Sequence, residues 1–232
     1  MTQARAWLEA ASSVVVLTGA GISAESGVPT FRGQGGLWKK FRAEDLATPE
    51  AFTRDPRLVW EWYDSRRAAL AQVAPNAGHR ALAELEARKP RFTLVTQNVD
   101  GLHDRAGIWT QESGDRSQET GVGSERRDER TPLPELPPCC ECGGMLRPGV
   151  VWFGEPLPVE AWERAQKATR EAEVLLVVGT SATVYPAAGL IPLATSAGAR
   201  VIECNVEETP FSSGLDRSLR GRAGEVLPQL IA

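Results

Sequence analysis

A run of apolar residues that ends in a glycine turn constrains the fold of this chain more than any other feature. Residues 14–17 read VVVL, and Gly19-Ala20-Gly21 follows almost at once. Such a run predicts a buried strand, and the glycines allow the backbone of the turn to approach another group closely. Exposed amides at the start of a following helix would suit a pyrophosphate. A glycine motif this short is equally compatible with a strand–turn–helix that binds no ligand.

Three later apolar segments also end in polar or glycine residues. These segments are 92–96, 173–178 and 200–203, and helical patterns at 57–73, 79–89 and 192–198 alternate with the apolar segments. Strands that alternate with helices predict an open α/β fold with a parallel sheet, whose ligands bind beyond the carboxyl ends of the strands. We therefore expect one ligand site where four strand ends meet, built from Gly19–Gly21, Gln97–Asp100, Gly179–Ser181 and Asn205–Glu207.

Composition narrows the class of protein. The 232 residues carry a formal net charge of −4 and show no run of five or six like charges, so nucleic acid is not an expected partner. No stretch approaches the roughly 18 apolar residues of a membrane span, and the first residues predict an amphipathic helix rather than a signal peptide. We expect a cytoplasmic, monomeric protein without a membrane partner.

The glycine turn belongs to a longer segment, GAGISAESGVPTFRG at 19–33. This segment closely resembles the signature of the sirtuins, which are NAD-dependent protein deacylases, and the resemblance extends over most of the chain. It implies a Rossmann-like α/β fold, with one catalytic domain over 1–232, a helical insert over 33–90 and a disrupted zinc-binding lobe over 108–147. The implied cofactors are NAD and a structural zinc ion, and the implied partners are proteins or peptides with acylated lysine.

The resemblance also implies roles for individual residues. TQNVDGLH at 96–103 resembles the nicotinamide pocket, where Asp100 would hold the carboxamide, Asn98 would position ribose or water, and Gln97 would contact ribose. Taken alone, these side chains also suit an Asx-rich turn. The implied cofactor contacts are Gly19, Ala20, Gly21, Ser23, Ala24, Glu25, Phe31, Arg32, Trp38, Gln97, Asn98, Asp100, Gly179, Thr180, Ser181, Asn205, Glu207 and Ala223.

Two segments bear on the acylated substrate. VVWFGE at 150–155 resembles the sirtuin strand that pairs with the target peptide, with Val151, Trp152, Phe153 and Gly154 as substrate contacts. The alternative is an ordinary edge strand. Tyr63 and Arg66 are three residues apart on a predicted helix, so they share a face and could bind a carboxylate together. The same pair marks desuccinylase and demalonylase sirtuins, although a solvated helix face would look the same.

The resemblance fails at the expected catalytic base. Sirtuins use a histidine in an apolar-His-Gly segment shortly after the nicotinamide motif, because the step needs a group that titrates near neutrality. The chain has two histidines, His79 at a predicted helix start and His103 inside the motif itself, and residues 108–117 read IWTQESGDRS. We expect strongly impaired or absent turnover. A catalytically inactive NAD or ADP-ribose sensor is the alternative function, and the missing third glycine disfavours a dehydrogenase.

The implied zinc site is also incomplete. The family holds zinc with two Cys-x-x-Cys pairs, because zinc takes four ligands. Cys139 and Cys142 form one such pair, whereas residues 104–138 contain no cysteine. Residues 109–130 contain a single aliphatic side chain, Val122, which predicts disorder or loose packing. Since the family pattern resumes after this segment, we interpret it as a local reading-frame shift, with true divergence as the alternative.

Overall fold

The computed structural model describes residues 1–30, 43–108 and 132–232. Within these ranges the strands are β1 (Ser13–Thr18), β2 (Arg91–Thr96), β3 (Val174–Val178), β4 (Arg200–Asn205) and β5 (Arg217–Arg220). They form one five-stranded parallel sheet in the order β2-β1-β3-β4-β5. Leu17 of β1 is aligned with Val95 on one side and Val177 on the other. The predicted parallel α/β fold is confirmed.

The helices in the described ranges are α1 (Thr2–Ala10), α2 (Ala43–Leu46), α3 (Pro49–Arg54), α4 (Pro56–Ala71), α5 (Ala77–Arg88), α6 (Leu102–Arg105), α7 (Val159–Glu171), α8 (Leu190–Ser196) and α9 (Ala223–Ile231). None of these helices combines the length and apolar content that a membrane crossing requires. The described residues divide into two compact units, the first over 1–30, 74–108 and 160–232 and the second over 43–73 and 132–159.

The sheet of the first unit is covered on both faces. Every residue of β1 and β3 is buried, which explains why these strands read as unbroken apolar runs. Val14 and Val16 pack in one core cluster with side chains of α1, α5 and α9. Val15 and Leu17 pack in the other cluster, with side chains of α7 and α8. The alternation follows from the period of two residues along a strand.

The second unit has a smaller core of its own, formed by Ala47, Ala51, Val59 and Trp152. Asp55 caps the start of α4 by accepting the Leu58 N–H at 3.0 Å. Two tertiary hydrogen bonds connect α4 to the later chain. The buried Asp64 carboxylate accepts the Leu133 N–H at 3.1 and 3.2 Å, and Trp60 Nε1 donates to the Leu146 carbonyl at 2.8 Å.

Two features differ from the sequence-based expectations. The helical insert was expected over 33–90, but α5 belongs to the first unit because its buried face packs against α9 and the sheet. Residues 150–155 were expected to form a strand, but they contain a turn in which the Glu155 N–H donates to the Trp152 carbonyl at 3.1 Å. The predicted disorder of residues 109–130 lies outside the described residues.

Candidate functional site

The glycine turn after β1 packs directly against the turn after β3. The Gly21 N–H donates to the Gly179 carbonyl at 2.7 Å. A Cβ atom on Gly21 would lie 2.6 Å from that carbonyl oxygen, and one on Gly179 would lie 2.4 Å from the Ile22 nitrogen. Gly179 also has a φ of +58°, which favours glycine. The close approach that the glycines permit is therefore between two strand-end turns, and it leaves no room for side chains there.

The polar residues after β2 are bound to the same turn. Asn98 Nδ2 donates to the Gly19 carbonyl at 3.1 Å. The Ser23 hydroxyl donates to Asp100 Oδ2 at 2.7 Å, while Asp100 Oδ1 accepts the Leu102 N–H at 2.9 Å. Ser23 lies in a 3-10 turn over Ala20–Ser26, where the sequence had predicted the start of a helix. These contacts fix the amide of Asn98 and the carboxylate of Asp100.

Thr180, after β3, connects the other strand ends. Its hydroxyl accepts a hydrogen bond from Gln97 Nε2 at 3.0 Å, and its carbonyl accepts one from Asn205 Nδ2 at 2.7 Å. The structure therefore brings together the ends of β1, β2, β3 and β4, as the sequence had predicted. Ser181 and Glu207 lie beside them with exposed side chains.

The glycine-turn segment also contacts the start of α9. Glu25 Oε2 accepts the backbone N–H of Gly224 at 2.7 Å, next to the buried Ala223. Glu25 was expected among the cofactor contacts, and here its carboxylate caps a helix. Three further expected contacts, Phe31, Arg32 and Trp38, lie outside the described residues.

Both histidines of the chain are buried beneath this site, with ring centroids 4.9 Å apart. His79 Nδ1 accepts the Asn76 N–H at 3.3 Å, which assigns the proton to Nε2, 3.4 Å from the Ser23 hydroxyl. His103 Nε2 lies 3.0 Å from Thr18 Oγ1, and its Nδ1 is buried without a hydrogen-bond partner. Burial lowers the pKa of each histidine to about 4, so both are neutral at neutral pH.

In the second unit, the expected acyl-reading pair lies on α4. Trp152 Nε1 donates to the Tyr63 hydroxyl at 3.0 Å, and burial raises the pKa of Tyr63 to about 12. The Arg66 guanidinium lies 5.0 Å from the centroid of the Trp62 ring. Trp152 is buried and packs against Phe52, whereas Phe153 is exposed. The two aromatic residues of the VWFGE segment thus have different surroundings.

Arg147 and Glu155 hold that segment in its turn, and the sequence had not singled out either residue. Their side chains form a bidentate ion pair with distances of 2.6 and 2.9 Å. Glu155 also accepts the Trp152 N–H at 2.8 Å, and the Arg147 guanidinium stacks 3.8 Å from the centroid of the Trp152 ring. This ion pair spans eight residues, and no local motif signals it.

The cysteines do not fit a structural zinc site. Cys142 was expected to pair with Cys139 as two thiolate ligands, but it forms a disulfide with Cys140, and Cys139 is exposed and free. Cys204 is buried in the sheet of the first unit. The described ranges contain no group of three or more His, Cys, Asp or Glu residues placed to hold a metal ion.

The chain with this strand-end arrangement matches a known family. The model of the Sir2 family matches residues 19–186, which is most of the chain. The chain belongs to the Sir2 family. Two curated relatives named NAD-dependent protein deacylase support the assignment. The one from Aquifex aeolicus is 54% identical and covers 94% of this chain and 93% of its own length. The one from Deinococcus radiodurans is 52% identical, with coverages of 100% and 98%.

Solved structures of Sir2 homologues share the fold. A Sir2 homologue mutant in complex with ADP ribose matches with a TM-score of 0.90 and 43% identity, and covers 100% of this chain and 95% of that chain. A Sir2 homolog–NAD complex matches with a TM-score of 0.88 and 44% identity, with coverages of 100% and 92%. This Sir2 chain therefore resembles its relatives over nearly its whole length.

Proposed function

We propose that this chain binds NAD at its four strand ends and acts on acylated lysine as an NAD-dependent protein deacylase. One observation carries the proposal: hydrogen bonds through Asn98, Thr180 and Asn205 join the ends of β1 to β4 around the paired glycine turns. Relatives of similar length carry the name NAD-dependent protein deacylase, and one Sir2 structure is described as a complex with a p53 peptide and NAD.

The residues at the strand ends have chemistry that suits NAD. Bound NAD would supply an electrophilic ribose carbon. Asp100 is fixed by Ser23 and Leu102, yet a carboxylate has further lone pairs with which to accept the N–H groups of a carboxamide. Glu207 presents an exposed carboxylate, which can accept both hydroxyls of a ribose diol.

We further propose that the preferred acyl groups end in a carboxylate, as succinyl and malonyl groups do. Trp152 donates to the Tyr63 hydroxyl, so the phenol proton is left to donate elsewhere. Because burial raises the pKa of Tyr63 to about 12, the phenol keeps that proton at neutral pH. Together with the Arg66 cation on the same face of α4, it offers two donors to one carboxylate.

Turnover should be slow, because neither histidine can replace the missing base. A general base works best when its pKa lies near the ambient pH and its lone pair reaches the reacting hydroxyl. His79 and His103 have pKa values of about 4, are almost fully buried, and have ring nitrogens turned toward Ser23 and Thr18. The same observation favours a second candidate function, an ADP-ribose or NAD sensor that binds without catalysis.

Two measurements on protein of verified sequence test these proposals. Calorimetry with NAD and ADP-ribose measures binding, with Asp100→Asn as the variant. Mass spectrometry measures removal of succinyl, malonyl and acetyl groups from lysine peptides, beside the Aquifex aeolicus relative. We expect binding, together with rates about 10²–10⁴-fold lower than that relative's. Binding without any product would favour the sensor, and absence of binding would refute both functions.

A further inference from the structure

Glu203, in β4, is a buried carboxylate of the first unit that accepts several hydrogen bonds. The residue is 1% exposed. Its carboxylate accepts hydrogen bonds from Thr209, Ser212 and Ser218 at 2.6 Å each, and from Arg220 Nη1 at 3.1 Å. Burial works against ionisation, yet the three hydroxyl donors and the Arg220 guanidinium hold the pKa of Glu203 below its usual range. The side chain is therefore a buried anion at neutral pH.

All of these donors lie on the chain segment that leaves the carboxyl end of β4. Thr209 and Ser212 belong to the connection from β4 to β5 and are bonded to each other, because the Thr209 N–H donates to the Ser212 hydroxyl at 2.8 Å. Ser218 and Arg220 belong to β5 itself. The Glu203 carboxylate therefore holds the middle of the connection and also the strand that follows it.

This connection carries Glu207, which we expect to contact a ribose. Arg220 Nη1, which donates to Glu203, also donates to the backbone carbonyl of Glu207 at 2.8 Å. On the other side of Glu207, Asn205 Oδ1 accepts the Val206 N–H at 2.9 Å. The backbone at Glu207 is thus held from both directions, while its carboxylate is exposed.

The burial of a charged group indicates that this arrangement does more than stabilise the fold. Replacing a buried ion pair with apolar residues is often neutral or stabilising, so stability alone gives little reason for a buried carboxylate. A contact residue whose backbone is already ordered loses less conformational freedom when a ligand binds. Four donors on one carboxylate provide this order, and one of them, Arg220, also holds the backbone of Glu207.

We propose that Glu203 and Arg220 are positioning residues that preorganise Glu207 and thereby set the affinity for the adenosine half of a bound ADP-ribosyl group. The proposal rests on the NAD binding proposed above. Neither residue is assigned a contact with the ligand, and each acts through the backbone of Glu207.

Calorimetry with ADP-ribose tests this role. We expect Glu203→Gln to weaken ADP-ribose binding roughly 10-fold, because the neutral amide loses its ionic hydrogen bonds with the loop. Thr209→Val and Ser212→Ala each remove one donor to Glu203 and should weaken ADP-ribose binding by smaller factors. If Glu203→Gln does not fold, these two variants allow the same comparison of ADP-ribose affinity with the wild type. The matched control is Ser196→Ala, which removes an exposed hydroxyl that donates to the Leu193 carbonyl of α8, and it should bind like the wild type.

A double-mutant cycle separates positioning from general stability. In a Glu207→Ala background, Glu203→Gln should cause little further loss of ADP-ribose affinity, although it should still lower the melting temperature. An equal loss in both backgrounds would overturn the proposal, as would wild-type affinity in Glu203→Gln. If the wild type itself fails to bind ADP-ribose, the proposed NAD function fails first and the positioning role with it.

Discussion

The Glu25 carboxylate accepts the backbone N–H of Gly224 at 2.7 Å, although the two residues are 199 positions apart in the chain. This hydrogen bond connects the 3-10 turn after β1 to the first turn of α9. The first N–H groups of a helix have no partner within the helix, and a carboxylate there also interacts favourably with the helix dipole. One side chain therefore orders two segments that both contribute expected cofactor contacts.

We expect Glu25→Ala to lower the free energy of unfolding by about 1 kcal/mol, which is the usual cost of losing a helix cap. Glu25→Gln should lower the free energy of unfolding by less, because its amide oxygen can still accept the Gly224 N–H. Urea denaturation measures both changes. The control is Glu163→Ala, which removes an exposed carboxylate from α7 and should change stability by less than about 0.5 kcal/mol. Equal stability of Glu25→Ala and the wild type would show that the cap contributes nothing.

The strands that could be predicted from the sequence are those whose burial gives a recognisable apolar pattern within the strand itself. Because β1 and β3 are covered on both faces, they read as continuous apolar runs. β5 reads RSLR and was not predicted, because its place depends on pairing with β4 and on the bonds of Ser218 and Arg220 to Glu203. α7 was missed as well, since few of its side chains are buried.

The candidate site was predictable to the extent that topology decides it. Parallel strands place their carboxyl ends at one edge, so Asn98, Thr180 and Asn205 could be grouped before any contact was known. The hydrogen-bond partners of these residues could not be predicted in this way. The Arg147–Glu155 ion pair and the contact between the two histidine rings depend on tertiary packing. The cysteine spacing allowed both a Cys139–Cys142 ligand pair and the Cys140–Cys142 disulfide that the structure contains.

The buried histidines should make stability depend on pH. Each has a pKa of about 4 in the folded protein, against 6.5 for the ordinary side chain, so between these values the unfolded chain binds more protons. The free energy of unfolding should therefore be greatest above about pH 6.5 and should fall as the pH is lowered toward 4. One histidine contributes at most about 3 kcal/mol over this window. The two contributions are not additive, since the rings are in contact.

Urea denaturation from about pH 7 to about pH 5 measures this slope. His103→Gln removes one titrating ring and keeps an amide that can donate to Thr18, so its slope should be shallower than that of the wild type. The surface carboxylates are the same in both proteins, so their contribution cancels in the comparison. Identical slopes would mean that His103 binds the same number of protons in the folded and unfolded states, so that burial does not lower its pKa.

Arg66 should decide acyl selectivity. We expect Arg66→Met to weaken binding of a succinyl-lysine peptide roughly 10-fold or more, because a charge-assisted hydrogen bond to the carboxylate is lost. Binding of the matching acetyl-lysine peptide should change by less than about 2-fold, since that group carries no charge. Fluorescence anisotropy with labelled peptides measures both affinities without requiring turnover.

The matched control for Arg66 is Arg57→Met. Arg57 lies on the same helix and is exposed, and it pairs with Glu61 at 2.9 Å. The loss of Arg57 should change the binding of the two peptides equally, because Arg57→Met changes the net charge without removing the proposed donor. If Arg66→Met lost affinity equally for both peptides, the carboxylate-reading role would be refuted. Tyr63→Phe tests the second donor in the same assay, since it removes only the hydroxyl that meets Trp152.

The cysteines should differ in their reaction with iodoacetamide. Cys139 is exposed and free, so native unreduced protein should gain one adduct there. Cys204 is 1% exposed, and burial raises its pKa to about 12, so almost no thiolate is present to react. After mild reduction of the folded protein, Cys140 and Cys142 should also be labelled. Peptide mass mapping assigns the adducts, and Cys139→Ser is the control that should abolish the first one.

Native mass spectrometry of the same samples tests the disulfide against a metal-bound alternative. A disulfide lowers the mass of the chain by two hydrogen atoms, and reduction restores them. A zinc ion held by thiolates adds the mass of the metal and is removed by a chelator. We expect the first result, because zinc takes four ligands and residues 139–142 offer Cys139 beside two sulfurs that are already joined. Stoichiometric zinc that protects Cys139 from labelling would show that other residues complete a metal site.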